Sequence, residues 1–556
     1  MSTLEIDHAA PPRKARPAGL IAAGAAGVVV LVAVVLTALA SLNGDVTYAL
    51  GGLETAGLGG VSVWDVFVAR PLAYRLLMNV LDFTNSHDMA FTHRLIRAET
   101  DLLVAAVGVL LFVGLRRHLD KRAAAGIAFA TGLALVVAPP WHFLEPDWMA
   151  ALAAVVAVGA GLAPRRDWLG GLLGGAGAVL VIAVKLATVP IALLALLAIA
   201  VLSRRRAGWA TAATAVLAVV WYLTTKHFLP WEWIWLKDQA DLVADSPIHH
   251  GLRWRDFQEL WRGLGDATVL SPVIAVAPAA FAALIRRVPD VRMRWLGVAV
   301  AVVAAGLSVA SAYGQAEFYM YHYAIVPVLA AAVWGAAFAL CPGARLPLAG
   351  FTLMFAAVSF VALRFPAGWR RHNFALVENG YLLAAVLAAV VVWFVAARSV
   401  PWPAGIVALT VALLPPVLLG APYAFSTYDY KISAARPSAG VYGEVSERIG
   451  RDTPVLYLAF GAINHAMGNP TTCRYPSPQW LQRGTWIESV RDYRSYADNL
   501  ACLTNDQQAR YLVVQTDWFK LDKAPPDVKE LLDARFDCSA TARLKNTGNL
   551  IVCPAR

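Results

Sequence analysis

The feature that most constrains this sequence is a series of long, almost uncharged apolar runs between residues 18 and 424. Runs of about 20 apolar residues are long enough to cross the hydrocarbon core of a bilayer as helices. Only 15% of the residues are charged, whereas an average soluble domain has about 25%. The pattern therefore predicts an all-α polytopic membrane protein, and it excludes a soluble enzyme and a disordered chain.

The apolar runs predict thirteen membrane spans and a short tail, residues 1–17, that precedes them. The first run is longer than the apolar part of a signal peptide, so we expect it to remain as a span. The predicted spans are 18–42, 95–115, 123–141, 148–163, 168–184, 186–203, 207–225, 267–285, 295–316, 322–341, 346–363, 379–397 and 402–424.

Lysine and arginine are distributed unequally between the loops that join these spans. They are concentrated in alternate loops, and the positive-inside rule places those loops and residues 1–17 in the cytoplasm. With an odd number of spans, residues from 425 onward are expected on the outer side of the plasma membrane. One loop, 364–378, disagrees because it carries Arg364, Arg370 and Arg371 on the outer side. Since most arginines lie in loops, the net charge of +10 does not predict a nucleic-acid partner.

The sequence pattern of the C-terminal segment 425–556 is typical of a small α/β domain. Apolar segments at 455–460 and 511–514 predict buried strands, and 549–553 predicts a closing strand. A helix is predicted at 527–536, directly after a Pro-Pro pair.

Four of the five cysteines lie in this C-terminal segment, which predicts two disulfides and an oxidising, extracytoplasmic compartment. The preferred pairing joins neighbours in sequence, Cys473 with Cys502 and Cys538 with Cys553. The alternative is four reduced thiols in a cytosolic tail.

Two long outer loops, 43–94 and 226–266, contain amphipathic patterns. In the first, leucines and Val80 recur at helical spacing between residues 72 and 81. The second begins with Trp231, Trp233 and Trp235, as an interfacial aromatic belt does, and continues with aromatic residues at helical spacing from 254 to 264. Both patterns predict helices that lie at the membrane surface.

Polar residues collect where the predicted spans meet the outer face. Charge at this depth is costly and often functional. A carboxylate base beside cationic groups suits transfer from a phosphate leaving group. These residues are Asn43, Asp45, His142, Glu145, Asp147, Lys185, Glu317, Tyr319, Tyr321, His322 and Tyr323.

Five places in the sequence resemble motifs of the membrane-embedded GT-C glycosyltransferases. Asp45 matches the acidic motif after the first span, and 70–75 (Arg-Pro-Leu-Ala-Tyr-Arg) resembles the Lys/His-Pro-Pro-Leu segment of the same loop. Arg94-Leu95, the turn 142–147 and the segment 321–327 resemble later motifs in the same order. The most similar branch contains protein O-mannosyltransferases and lipid A aminoarabinose transferases. The segment 468–475 resembles the C-terminal segments of actinobacterial members.

The resemblance implies an inverting transferase that moves a sugar from a polyprenyl-phosphate donor to a glycan, lipid or protein acceptor of the cell envelope. Asp45 is the expected general base. No metal or other cofactor is expected, and the oligomeric state is not predicted. The expected phosphate-binding residues are Arg70, Lys185, His322 and Arg371, and the expected acceptor or sugar site contains His142, Glu145, Asp147 and Tyr321.

The chain departs from the family pattern at three positions. Only Asp45 stands where many members have paired acids, Arg70 replaces Lys or His, and His322 replaces Arg. Two other hypotheses therefore stay open. One is a lipid or sugar transporter, which the lack of charge inside the spans disfavours, and the other is an inactive scaffold for envelope assembly.

Overall fold

The computed structural model describes residues 17–83, 88–244, 254–315, 318–395, 399–419 and 439–556. Helices fill the described residues up to 419, and a three-stranded sheet surrounded by helices follows from 439. The helices of the first part are α1 Pro17–Ala38, α2 Gly44–Leu58, α3 Leu72–Leu81, α4 Met89–Leu115, α5 Lys121–Val136, α6 Pro146–Leu162, α7 Asp167–Val184, α8 Val189–Leu202, α9 Arg204–Phe228, α10 Pro230–Ala244, α11 Trp254–Leu270, α12 Val273–Arg286, α13 Val291–Gly314, α14 Ile325–Leu340, α15 Arg345–Ala362, α16 Ala367–His372, α17 Phe374–Phe394, α18 Trp402–Leu413 and α19 Pro415–Leu419.

Each predicted span coincides with a helix, or with two consecutive helices. Within the described residues, eight helices are long and apolar enough to cross a membrane, or up to nine if the bent pair α11 and α12 is one span. The predicted spans at 123–141, 148–163, 186–203 and 402–424 fall on α5, α6, α8 and α18, which have only 16, 17, 14 and 12 residues. An α-helical multi-pass architecture is therefore observed, while the count of thirteen stays a prediction.

The predicted span 267–285 differs most from the structure. The amphipathic α11 continues to Leu270, and α12 leaves it at an angle of 88°. Pro272 lies in this break, and a proline cannot donate the backbone hydrogen bond that a continuous helix needs.

The two long loops are more helical and more buried than their sequence indicates. The amphipathic α3 is confirmed, but α2 was not predicted; eleven of its residues are buried. The prediction of an aromatic belt is wrong for Trp235, which is buried with its ring centroid 5.3 Å from that of Phe67. Trp231 lies between the guanidinium groups of Arg75 and Arg474, at 5.0 and 4.3 Å from its ring centroid.

The described part of the C-terminal domain comprises residues 439–556. Strand β1 pairs in parallel with β2, and β2 pairs antiparallel with β3. All four elements predicted from the sequence are present, whereas the predicted boundary at residue 425 lies outside the described residues. The elements are α20 Gly440–Ile449, β1 Val455–Leu458, α21 Gly461–Met467, α22 Gln479–Arg483, α23 Arg494–Asn505, β2 Tyr511–Gln515, α24 Pro526–Arg535 and β3 Leu550–Pro554.

The sheet of this domain is buried on both faces, and successive residues alternate between two apolar clusters. Leu456 and Leu458 belong to a cluster that includes Phe67 and Trp235 from the two long loops. Val455 and Tyr457 belong to the cluster on the opposite face, beneath α20 and α21. The domain therefore shares one of its cores with the long loops of the helical part.

Both disulfides form with the pairing preferred from the sequence, Cys473–Cys502 and Cys538–Cys553. The remaining thiol, Cys341, is buried at the end of α14.

The disulfide pattern gives a direct prediction. Alkylation of the protein after unfolding without reductant is expected to modify Cys341 alone, because the other four sulfurs are oxidised. Intact-mass measurement counts the labels, and a sample reduced before alkylation should gain all five. Five labels without reduction would show that the bridges do not form in the cell.

Candidate active site

The site begins at the turn between α1 and α2, where Asn43 caps the N-terminus of α2. The side-chain oxygen of Asn43 accepts a hydrogen bond from the backbone N–H of Asp45 at 3.3 Å, as N-cap side chains commonly do. Its amide nitrogen donates to the carbonyl of Trp141 at 3.1 Å and to Oε1 of Glu145 at 2.7 Å. Asn43 therefore joins the turn that carries Asp45 to the turn between α5 and α6.

Arg70 lies between two carboxylates at this place. Its Nη2 is 3.4 Å from Oδ2 of Asp45 and 3.8 Å from Oε2 of Glu145. The Asp45 side chain is 37% exposed, that of Arg70 is 20% exposed, and that of Glu145 is 1% exposed. The site therefore has one partly open carboxylate, a guanidinium beside it and a closed carboxyl group behind it.

Two turns with unusual backbone conformation present these side chains. Ala69 and Leu144 have φ values of 51° and 65°, and they directly precede Arg70 and Glu145. The hydroxyl of Tyr74, in α3, donates to the carbonyl of Leu144 at 3.0 Å and so ties one turn to the other.

The second long loop supports the turn that presents Arg70. Glu232 of α10 accepts hydrogen bonds from the backbone N–H of Leu72 at 2.8 Å and from Nη1 of Arg75 at 2.9 Å. The same Nη1 donates to the carbonyl of Arg70 at 2.9 Å. Arg75, which the amphipathic pattern placed on a polar helix face, is fully buried by these contacts.

Burial and nearby charges give the groups around Arg70 different protonation states. Burial raises the pKa of Glu145 well above its usual range, the Asp45 carboxylate raises it further, and Arg70 and Lys185 only partly oppose this. Burial acts to lower the pKa of Arg70, but the neighbouring carboxyl groups, Asp45 first, outweigh it and raise the value. Near neutral pH we therefore expect a protonated Glu145, while Arg70 is charged.

A second polar cluster surrounds Asp147 in the first turn of α6. Asp147 is fully buried, and its Oδ2 accepts from Nζ of Lys185 at 2.8 Å and from Nδ1 of His322 at 2.9 Å. Its Oδ1 accepts from Oγ of Ser311 at 3.3 Å and from Nε2 of Gln315 at 3.1 Å. Since Nδ1 of His322 must carry a proton to donate to this carboxylate, a neutral His322 has its lone pair on Nε2.

The other predicted site residues lie around these two clusters. His142 is buried in the α5–α6 turn, and burial lowers its pKa to about 3, so it is uncharged at neutral pH. The ring of Tyr321 lies edge-on to that of His322, with 4.3 Å between centroids. Arg371 is in α16, next to Arg370, and Glu317 is outside the described residues.

Sequence reasoning missed several residues that hold the site together. Asn43 was named among the polar residues of the outer face but given no role, and Tyr74, Glu232, Ser311 and Gln315 were not predicted as site residues. Ser311 and Gln315 could have been recognised from the sequence, because they are polar residues four positions apart where the apolar run of α13 ends.

The raised pKa of Glu145 predicts how stability changes with pH. A carboxyl group whose pKa is raised on folding contributes stability below its usual pKa, and that stability is lost as pH rises through the raised value. We therefore expect the free energy of unfolding of the wild type, and with it the melting temperature, to fall more steeply than that of Glu145→Gln as the pH rises above the usual glutamate pKa. The slope of the free energy is at most about 1.4 kcal/mol per pH unit. Gln keeps an oxygen for the Asn43 amide and cannot ionise.

The control for this measurement is Asp65→Asn, which changes an exposed acid in the same long loop. Melting curves of the three proteins in one detergent decide the outcome. Parallel pH profiles of wild type and Glu145→Gln would mean that Glu145 is already ionised in the folded protein.

Comparison with known proteins supplies similarity at the level of fold. No protein-family model and no curated protein matches the chain. A crystal structure of ArnT from Cupriavidus metallidurans bound to undecaprenyl phosphate aligns with a TM-score of 0.50 and 16% identity, over 96% of this chain and 97% of that one. The two proteins share a fold.

Two further solved structures align less well. ArnT from the same organism in its apo state gives a TM-score of 0.47 at 15% identity, over 96% of this chain and 97% of that one. The archaeal oligosaccharyltransferase AglB from Archaeoglobus fulgidus, in complex with an inhibitory peptide and a dolichol-phosphate, gives 0.36 at 11% identity, over 93% of this chain and 73% of that one.

Proposed function

We propose that the protein is an inverting glycosyltransferase that uses a polyprenyl-phosphate sugar as donor and a cell-envelope glycan, lipid or protein as acceptor. The observation that carries the proposal is the partly exposed Asp45 carboxylate, 3.4 Å from the guanidinium of Arg70, at the end of the first span. A carboxylate that solvent can reach is able to act as a general base, and an adjacent cation stabilises the charge of a departing phosphate.

In the proposed reaction, the acceptor hydroxyl attacks the anomeric carbon of the donor sugar while Asp45 takes up its proton. The bond between the anomeric carbon and the phosphate oxygen breaks, and polyprenyl phosphate leaves with the electron pair. Attack from the side opposite the phosphate inverts the configuration. The phosphate is already a good leaving group, so the proposal needs no metal or other cofactor.

The charges of the site suit an anionic leaving group. Because Glu145 is expected to be protonated, Asp45 is the ionised carboxylate next to Arg70, and the Asp147 charge is compensated by Lys185. Lys185 is 24% exposed, and Nε2 of His322 has no hydrogen-bond partner among the described residues. We propose that Arg70 and Lys185 bind the donor phosphate and that Arg371 contacts it from α16. His322 instead holds the Asp147 carboxylate, because the lone pair on its Nε2 cannot donate to a phosphate oxygen. His142, Glu145, Asp147 and Tyr321 form the surrounding sugar or acceptor site.

An apolar groove beside the site suits the lipid part of the donor. It has an empty volume of about 710 Å³, mouth included, and lies between α11, α12 and α17, with Trp261, Ile274 and Leu382 among its lining residues. The opposite side of α11 packs on the segment that carries His322, where the hydroxyl of Tyr323 donates to the carbonyl of Leu260 at 2.7 Å. We propose that a polyprenyl chain lies in this groove.

The C-terminal domain offers a path for the acceptor. Tyr48, one turn beyond Asp45 in α2, has its ring centroid 4.9 Å from that of Phe460, which is 6.4 Å from that of Trp518. Burial raises the pKa of Tyr48 to about 12, while the charges of Arg70 and Arg483 act to lower it. We propose that the acceptor binds along this aromatic row.

We propose that the face carrying the site and the C-terminal domain is extracytoplasmic, and that residues 1–17 are cytoplasmic. The two disulfides support this orientation, because such bonds persist in an oxidising compartment.

The test is sugar transfer by the purified full-length protein in lipid nanodiscs. A panel of radiolabelled polyprenyl-phosphate arabinose, mannose, glucose and galactose is incubated with envelope extract as acceptor, and Asp45→Asn serves as the inactive control. Transfer by wild type alone supports the proposal. No transfer from any donor would contradict it and favour the transporter or the scaffold.

A further inference from the structure

A buried chain of hydrogen bonds connects the C-terminal domain to the turn that carries Asp45. The backbone N–H of Leu42 donates to Nδ1 of His93 in α4 at 3.3 Å. Nε2 of His93 is 3.1 Å from Nε2 of His465 in α21, and Nδ1 of His465 is 3.2 Å from Oε2 of Glu54 in α2. We refer to these three side chains, His93, His465 and Glu54, as the histidine relay.

The histidine relay is closed to solvent. His93, His465 and Glu54 are 2%, 6% and 9% exposed. The two imidazole rings are nearly parallel, at an angle of 12° and 5.2 Å between centroids. Each hydrogen bond between such buried groups has to be made. If one partner is lost, the other stays buried without a hydrogen bond, and stability falls by the full free energy of its desolvation.

One donor sets the direction of every proton in the histidine relay. A backbone N–H can only donate, so Nδ1 of His93 must hold a lone pair, and the proton of the neutral ring is on Nε2. That proton is donated to Nε2 of His465, whose own proton is then on Nδ1 and is donated to Glu54. A second proton on His465 would place two N–H groups against each other. Both histidines are therefore neutral while the chain is intact.

The position of the C-terminal domain is fixed closely enough to keep this register. Gly51 of α2 faces α21 so closely that an added Cβ would lie 2.3 Å from both the carbonyl oxygen of Gly461 and the backbone nitrogen of His465. Two helices in backbone contact cannot slide without breaking the contact. The ring of His465 is therefore held at a set height above α4.

We propose that His93 and His465 are positioning residues for Asp45. They hold the backbone of Leu42, which directly precedes the Asn43 cap, and Asn43 in turn holds the backbone of Asp45 and the side chain of Glu145. The C-terminal domain thus helps to orient the Asp45 carboxylate through the imidazole of His465. The consequence for catalysis rests on the proposed function, whereas the effect on the turn does not.

The first experiment measures backbone order without any substrate. Hydrogen–deuterium exchange of the full-length protein in nanodiscs is followed in a peptide covering residues 40–46. We expect His465→Leu and His93→Leu to raise its uptake. Asn464→Ala is the matched control, because Asn464 neighbours His465 and contacts Thr55 of α2 without joining the relay. Unchanged uptake in His465→Leu, or an equal rise in Asn464→Ala, would overturn the proposal.

The second experiment separates the relay from simple packing by its pattern of rescue. The amide oxygen of Asn reaches the position of Nδ1 in a histidine ring, whereas the amide of Gln reaches that of Nε2. We expect His93→Leu and His93→Gln to lower kcat about tenfold with the donor KM unchanged, and His93→Asn, which can still accept from Leu42, to stay near wild type. His465→Gln, which can accept from Nε2 of His93, should likewise exceed His465→Leu.

The two experiments fail independently of each other. If wild type transfers no sugar, the proposed function is wrong, and the exchange data still decide whether the relay orders the turn. If exchange rises as expected but kcat is the same in all variants, the relay is structural and does not position Asp45. A double variant His93→Leu/His465→Leu should be no worse than His93→Leu alone, because both remove the same chain.

Discussion

Asp45→Asn is expected to abolish sugar transfer, with a loss of about 10³-fold or more in kcat. Asn has the shape of Asp but cannot accept the proton of the attacking hydroxyl, and a general base contributes about 10²–10⁴-fold. The Asp45 side chain is 37% exposed, and its hydrogen bond from Arg70 is only partly buried, so the protein should fold normally. Initial rates with a radiolabelled donor measure the effect, and binding of undecaprenyl phosphate should change little.

Two variants sharpen this prediction. Asp65→Asn removes an exposed acid from the same loop and should transfer sugar at the normal rate. Glu145→Gln imitates the protonated carboxyl group and should keep most of the activity. If instead Asp45→Asn is active and Glu145→Gln is not, the base is Glu145 and the assignment of the two carboxyl groups is reversed.

Arg70→Ala is expected to lower kcat by about 10²–10³-fold, the usual cost of losing one group that stabilises developing charge. It should also weaken binding of undecaprenyl phosphate, since the product carries the same phosphate. Arg70→Lys restores the charge but not the planar pair of donors, so its activity should be intermediate. Rates and phosphate binding are measured on the same preparations.

Arg70 is a cleaner test of phosphate binding than Lys185, because the two cations have different partners. Removing Lys185 would leave Asp147 charged and fully buried, and an uncompensated buried charge costs about 3–5 kcal/mol of stability. Removing Arg70 leaves Asp45, which is open to water. Arg255→Ala, on the exposed side of α11, is the control for a general loss of positive charge. Normal transfer by Arg70→Ala would leave Arg70 with only a structural role.

Local patterns were sufficient for much of the fold. Long apolar runs located the helices, because a span must be continuous and apolar, and short apolar runs located the strands of the C-terminal domain. Pairing neighbouring cysteines was also sufficient, since Cys553 in β3 and Cys538 after α24 are joined by a short return of the chain. Asp45 and Glu145 were identified from their places at span ends and Arg70 from the family resemblance of its segment, and the structure brings the three together.

The remaining features depend on contacts between residues far apart in sequence. Helix α2 has no strong pattern of its own, and it is buried because α21, some 400 residues later, packs on it. Glu54 and His465 are 411 positions apart, so neither indicates a partner in its own segment. The burial of Arg75 was likewise unpredictable, because its partner Glu232 lies in the other long loop.

The two turns at Ala69 and Leu144 bear on any attempt to make this protein more robust. A residue with a side chain at positive φ costs about 1 kcal/mol or more, and glycine would relieve that cost. Selection for heat resistance would therefore favour glycine at both positions. Each glycine, however, would allow Arg70 or Glu145 to turn away from Asp45, so the most heat-resistant variants should be among the slowest. In such a library, thermal tolerance and turnover are expected to be inversely related at these two positions.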